Sequence, residues 1–254
     1  MYQILVLIVL IVFIAFSFIT LQYWLHDEQV YERVGHAISL SVKVLPCCIS
    51  AEKENHETLA AGFIRDINNP VEIDRCKLLL EFHNVLEKNL SLYKNFSEIR
   101  ENILAKVLVY YDRFFIADRF DRWSPPYFFS TVYGDKLYYL NIKDDSIWYY
   151  ENNQKFYTSL NAIGMSHDQK NNIVIDKLNS FISGYTYDPI NKSSINIKIF
   201  NPESSDPVYR LSSSSFNVLD GITFFVIYRN FKRPEMGNFF INLDKAIVCG
   251  YTLK

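Results

Sequence analysis

Aromatic side chains that could line a binding site are concentrated between positions 133 and 157: Tyr133, Tyr138, Tyr139, Trp148, Tyr149, Tyr150 and Tyr157. Rings with a few polar tips suit a small-molecule pocket, which needs apolar walls and sparse hydrogen-bonding groups. The same spacing also serves packing, because alternate aromatics along a strand fill a sheet's core and cover its outer face. Arg210 and Arg229 fall inside expected strands. There a charge must be paired, solvent-facing or turned toward a ligand. Tyr139, Trp148, Tyr149, Arg210 and Arg229 are the candidate ligand-binding residues.

Other chemistry finds weaker support. Asp118, Asp121, Asp144 and Asp145 invite a paired-carboxylate reading, but glycoside hydrolysis needs two carboxylates about 5–10 Å apart across a cleft. Asp144-Asp145-Ser146 reads as a turn. His167-Asp168 has no Gly-x-Ser-x-Gly elbow to serve, and Ser212 to Ser215 reads as a polar loop. There is no Gly-rich phosphate loop. The chain is expected to be no enzyme. No cofactor is expected either. Four cysteines are present, Cys47, Cys48, Cys76 and Cys249. Cys47-Cys48 is not a Cys-x-x-Cys pair and the five histidines lack ligand spacing beside it, so no metal site is expected. In an oxidising compartment Cys47 or Cys48 with Cys76 would close a loop of about thirty residues, worth roughly 3 kcal/mol. Cys249 reads as a buried thiol. A net charge of −2 gives no basic face for nucleic acid.

The elements that must position these residues change texture along the chain. Met1 to Leu21 carries no charged side chain. At about 1.5 Å per residue, Ile4 to Leu21 makes a helix close to the thickness of a bilayer core. A signal peptide would have a basic start and a small-residue cleavage site. This run has neither, so residues 1–21 are expected to form an uncleaved transmembrane anchor. Tyr23 and Trp24 sit where interfacial aromatics belong. His26-Asp27-Glu28 follow, and the first basic residue is Arg33, which argues for an inside N-terminus and an extracytoplasmic remainder.

Residues 22–122 read as a helical stem or bundle. Val30, Val34, Ala37, Ile38, Ser41 and Val44-Leu45 recur at helical spacing until Pro46. Asp74 is a candidate cap for a helix through Leu90, and Ser97 to Phe115 reads as another helix. Residues 123–254 read as antiparallel. Tyr127 to Val132, a turn at Tyr133-Gly134-Asp135-Lys136, Leu137 to Ile142 and Ile147 to Tyr150 form a hairpin-like run. A helix follows over 168–181. Ser194 to Phe200, Val208 to Leu211, Ile222 to Tyr228 and Asn238 to Leu243 complete a set of short strands. The class is α+β: transmembrane helix, helical stem, antiparallel sheet domain.

This order resembles the extracytoplasmic PAS-like (PDC or Cache) sensor domains of bacterial signalling receptors. Within them it is loosely similar to the periplasmic part of Rcs-type phosphorelay membrane proteins. Ile103 to Asp118, Trp123-Ser124-Pro125-Pro126-Tyr127-Phe128-Phe129 and Gly134 to Tyr139 look like their helix-to-first-hairpin segment. Gly237 to Asp244 is similar to the last sheet strand. The resemblance implies a sensory or regulatory domain of an envelope two-component or phosphorelay system, in the inner membrane with its bulk in the periplasm. It implies a site in which a strand arginine faces an anionic ligand. Expected partners are the membrane and either another membrane protein or a second copy through the stem helices. The second class of function in view is a structural or assembly component of an envelope secretion or conjugation apparatus.

Overall fold

The computed structural model describes residues 2–51, 71–90, 96–185, 187–188, 193–194, 217–229 and 246–253. The first helix, α1, runs over Tyr2–Ser41 and passes into a 3₁₀ turn, Val42–Cys48, that contains Pro46. The end of α1 and the 3₁₀ turn bury one face as the spacing predicts: Val34, Ala37 and Ile38, then Val42 and Leu45, are buried. The α-helix ends where the Ser41 hydroxyl donates back to the Ala37 carbonyl (2.7 Å) and Val42, Val44 and Pro46 follow. The described side chains of the apolar run are Val6, Leu7 and 9–22, exposed throughout except for half-buried Thr20. Among the described residues no helix is long and apolar enough to cross a membrane.

Short strands β1 (Ile49–Ala51) and β2 (Val71–Ile73) pair antiparallel. Helix α2 (Arg75–Leu90) begins where Asp74 accepts the Lys77 N–H at 3.0 Å, the expected cap. It buries Leu78, Leu79, Phe82, Leu86 and Leu90. Among the described residues the cysteines form no disulfide. Cys47 and Cys76 are exposed, while burial pushes the Cys48 thiol up to about 11. Cys249 is buried, its thiol donating to the Gly35 carbonyl.

The helix expected from Ser97 to Phe115 is corrected. Only α3 (Phe96–Glu101) is helical; β3 (Ile103–Val109) and β4 (Arg113–Ala117) follow. With β5 (Tyr127–Phe128) and two later strands, β12 (Ile222–Arg229) and β13 (Ala246–Leu253), they form an antiparallel sheet ordered β13-β12-β3-β4-β5. Both faces of this sheet are covered. Leu108, Phe224 and Val226 pack against the end of α1 and against α2. Val107, Phe114, Ile116, Phe225 and Ile227 pack the other way, against a second sheet and a fourth helix. Gly221 sits where the chain enters β12, and any Cβ there would collide with the Leu253 carbonyl.

The second sheet is a meander of β6 (Ser130–Tyr133), β7 (Lys136–Tyr139), β8 (Ser146–Glu151) and β9 (Gln154–Ser159). The β6–β7 turn falls on Gly134-Asp135 as expected, with Gly134 at φ 61°. The β8–β9 turn puts Asn152 and Asn153 at φ 51° and 62°, a pair suited to asparagine. Helix α4 (His167–Tyr185) starts with a reciprocal capping box. The Gln169 N–H donates to Ser166 Oγ, and the Ser166 N–H donates to Gln169 Oε1. Two short strands, β10 (Tyr187–Asp188) and β11 (Ser193–Ser194), pair beyond it. The strands expected at Val208 to Leu211 and Asn238 to Leu243, and most of that at Ser194 to Phe200, lie outside the described residues.

Candidate functional site

The β6–β9 register sorts the aromatic cluster onto two faces. Residues directly opposite each other share a face. Val132 pairs with Leu137, Tyr139 with Trp148, Trp148 with Tyr157, and Tyr150 with Lys155. All of these therefore line the outer face. Tyr138, Tyr149 and Phe156 line the opposite one, where Tyr138 and Ile147 join the core shared with α4.

On the outer face Tyr139 stacks on Trp148, with ring centroids 5.5 Å apart and planes 11° apart. Tyr150 meets Tyr139 edge-on at 5.9 Å. Lys155 Nζ lies 4.6 Å from the Trp148 ring and 4.9 Å from the Tyr157 ring. Trp148 is covered, only 3% exposed, but Val132 and Tyr157 are 69% and 67% exposed. Leu137 and Tyr150 are also open to solvent. The result is a firm aromatic floor under a rim of two exposed tyrosines and two exposed aliphatic side chains, with Lys155 set into it. Soluble surfaces seldom leave such a contiguous apolar patch without a use.

The margin of this face is charged and buried. Phe128 meets Tyr139 edge-on at 5.9 Å, and the Arg113 guanidinium lies 5.9 Å over the Phe128 ring. Arg113 Nε is 3.9 Å from Asp112 Oδ1, and both side chains are nearly inaccessible. Burial pushes the Asp112 carboxyl up to about 7, with Arg113 and Lys155 pulling it the other way. Asp112 Oδ2 has no hydrogen-bond partner. Nor does Asn141 Nδ2, in the loop after β7 whose next residue, Ile142, donates its N–H to the Tyr111 carbonyl.

Of the candidate ligand-binding residues, Tyr139 and Trp148 lie side by side on the outer face. Tyr149 lies on the other face, stacked on Phe156 at 5.6 Å and covered by Lys136. Arg210 lies outside the described residues. Arg229 closes β12 opposite Ala246, and its side chain is not among those described. Among the described side chains, the arginine beside the aromatic cluster is Arg113. Its only signal in the sequence is an Asp-Arg pair interrupting an apolar run, which is how a tight β-turn between two buried strands reads.

The candidate carboxylates are absorbed by structure. Asp118 accepts the Phe120 and Arg122 N–H groups and grips the Arg122 guanidinium (2.7 and 3.0 Å). Asp121, at φ 64°, takes His83 Nε2 at 3.0 Å, Lys106 Nζ at 2.8 Å and Arg100 at 2.7 Å. Burial pushes its carboxyl up, but these donors outweigh that and hold it well below the usual range. A carboxylate held so firmly anionic is no proton donor. Asp144 closes its own turn by accepting the Ser146 N–H. Asp145 meets His167 at 3.0 Å and the buried Lys170 at 3.4 Å. Lys170 also donates to the Asp144 carbonyl (2.9 Å), tying α4 to the β7–β8 loop. Ser212 to Ser215 lie outside the described residues. Among the described residues no three His, Cys, Asp or Glu side chains converge as a metal site would need.

No protein-family model, curated protein or solved structure matches this chain.

Proposed function

We propose that the chain is a membrane-anchored docking module of a bacterial envelope assembly, binding a partner protein through the outer face of the β6–β9 sheet. The observation that carries this reading is the exposed apolar rim around Lys155, two tyrosines, Tyr150 and Tyr157, with the aliphatic Leu137 and Val132. Exposed tyrosines are among the residues enriched at protein-binding hot spots. The covered floor supports docking on a surface rather than capture of a small molecule in a pocket.

On this reading the anchor is the uncharged run Met1 to Leu21 of the sequence, although among the described residues no helix is long and apolar enough to cross a membrane; α1 runs unbroken from Tyr2 to Ser41. From Leu21 to Val34, the first buried residue among the described side chains, is about 20 Å of helix. That spacing holds the docking face near the membrane, and the acidic flank after the run supports an inside N-terminus with the domain in the periplasm.

A sensory or regulatory role in an envelope phosphorelay is the second reading. Asp112 favours it: a buried carboxyl near neutrality, at the margin of the docking face, can pass a change in occupancy or pH to the hairpin beneath.

The test is a photo-crosslinking residue in place of Leu137, in the full chain in native membranes, compared with one in place of exposed Leu80 on α2. Adducts to a different protein from position 137 alone support docking. Adducts from 80 alone, or from neither, overturn it. A captured sensor kinase would favour the second reading over an assembly role.

A further inference from the structure

Strand edges are templates for further pairing unless they are short, covered or charged. The five-stranded sheet is protected: β13 packs against α1 and the 3₁₀ turn, and β5 has two residues. In the meander, β6 packs against α4, whose Lys177 donates to Ser130 at 2.8 Å. The remaining edge, β9, has six residues, Gln154-Lys155-Phe156-Tyr157-Thr158-Ser159, exposed except for Thr158. It has no proline, no glycine and one charge.

We propose that β9 pairs antiparallel with β9 of a second copy, with Phe156 opposite itself, joining the two meanders into one continuous sheet. A two-fold axis normal to a sheet keeps each side chain on its own face, so the pair on the axis must be a residue with itself. Centring on Lys155 would oppose two ammonium groups. Centring on Phe156 pairs the two phenyl rings and sets Lys155 opposite the partner's Tyr157. That repeats across the interface the cation–ring contact Lys155 already makes with its own Tyr157. Gln154 then faces Thr158, so no like charges are opposed. The edge shares Lys155 and Tyr157 with the outer face, but the pairing rests on the β9 backbone and on Phe156, which lies on the opposite face, so it stands whichever protein the outer face docks.

The test uses the full chain in mild detergent and in membranes. Phe156→Cys, oxidised with copper–phenanthroline, is expected to give a crosslinked dimer beyond that of the parent chain, and Tyr157→Cys much less. Phe156→Glu, which opposes two carboxylates on an exposed position, is expected to weaken self-association at least tenfold in sedimentation while the circular dichroism is unchanged. A wild-type chain that sediments as a monomer at every concentration overturns the proposal. So does crosslinking from position 157 but not 156.

Discussion

Lys106 Nζ, on a side chain with no exposure to solvent, lies 2.8 Å from Asp121 Oδ1. Around that pair four elements meet: His83 from α2, Arg100 from α3, Lys106 from β3 and the loop after β4. Removing one partner of a buried pair leaves the other charged and uncompensated. Asp121→Ala is expected to cost about 3 kcal/mol in denaturant unfolding. Lys106→Met should cost less, about 1 kcal/mol, because Arg100 and His83 still face the carboxylate. The Asp121 carboxyl is depressed in the fold, so its contribution is present above 3.8, the ordinary value, and is lost as pH falls below it. Equal losses for the two variants would mean the network is not organised on Asp121.

Asp112 gives the opposite pH dependence. Folded, it holds its proton up to about 7; unfolded, it releases it near 3.8. Between those values the folded chain binds the extra proton, so stability falls as pH rises and levels off above 7. The charges facing it are Arg113 and Lys155. Asp112→Asn removes the titration, and should be about 2–4 kcal/mol more stable than the parent at pH 8 but equal to it near pH 4. Unfolding curves across that range check this. A difference that does not grow between pH 4 and 7 would show that Asp112 is not buried as a carboxyl.

Trp148 and Tyr157 are cross-strand partners with different roles. Trp148 is floor and Tyr157 is rim. Trp148→Ala should cost about 3–5 kcal/mol of stability. Tyr157→Ala should change stability by about 0.5 kcal/mol or less while weakening partner binding tenfold or more. Thermal unfolding and binding measured on the same two variants separate the roles. A stability loss at Tyr157 comparable to that at Trp148 would make the rim part of the core.

Asn152-Asn153 both have positive φ, which the preferred hairpin pair Asn-Gly meets with less strain. Asn153→Gly should raise stability by about 0.5–1 kcal/mol without altering binding. A destabilised variant would mean that the Asn153 side chain does more than adopt the turn.

Local signals carried much of the fold. The Asp74 cap, the 168–181 helix, the Gly134-Asp135 turn and the Ile222 to Tyr228 strand were legible because each depends on a few neighbouring residues. β3 and β4 were not. A strand buried on both faces reads as an apolar run without the alternation that separates strand from helix, and 103–111 (Lys106 apart) and 114–117 are such runs, parted only by Asp112-Arg113. In the site, Tyr139 and Trp148 were legible as aromatics in adjacent strands. Tyr149 follows Trp148 in the same strand, so the alternation of side chains sends it to the opposite face; the sequence does not say which of the two faces is covered. Arg113 and the Lys106–Asp121 pair depend on contacts between segments far apart in the chain, and no local pattern marks them.

The most direct test of the docking claim is recovery of partners from gently solubilised native membranes by the full-length chain and by its Tyr150→Ala/Tyr157→Ala variant, with partners quantified by mass spectrometry. A partner captured by the wild type and depleted at least tenfold by the variant, at equal stability and membrane content, is the result expected. Equal recovery by both chains would contradict the assignment of the outer face as the docking surface.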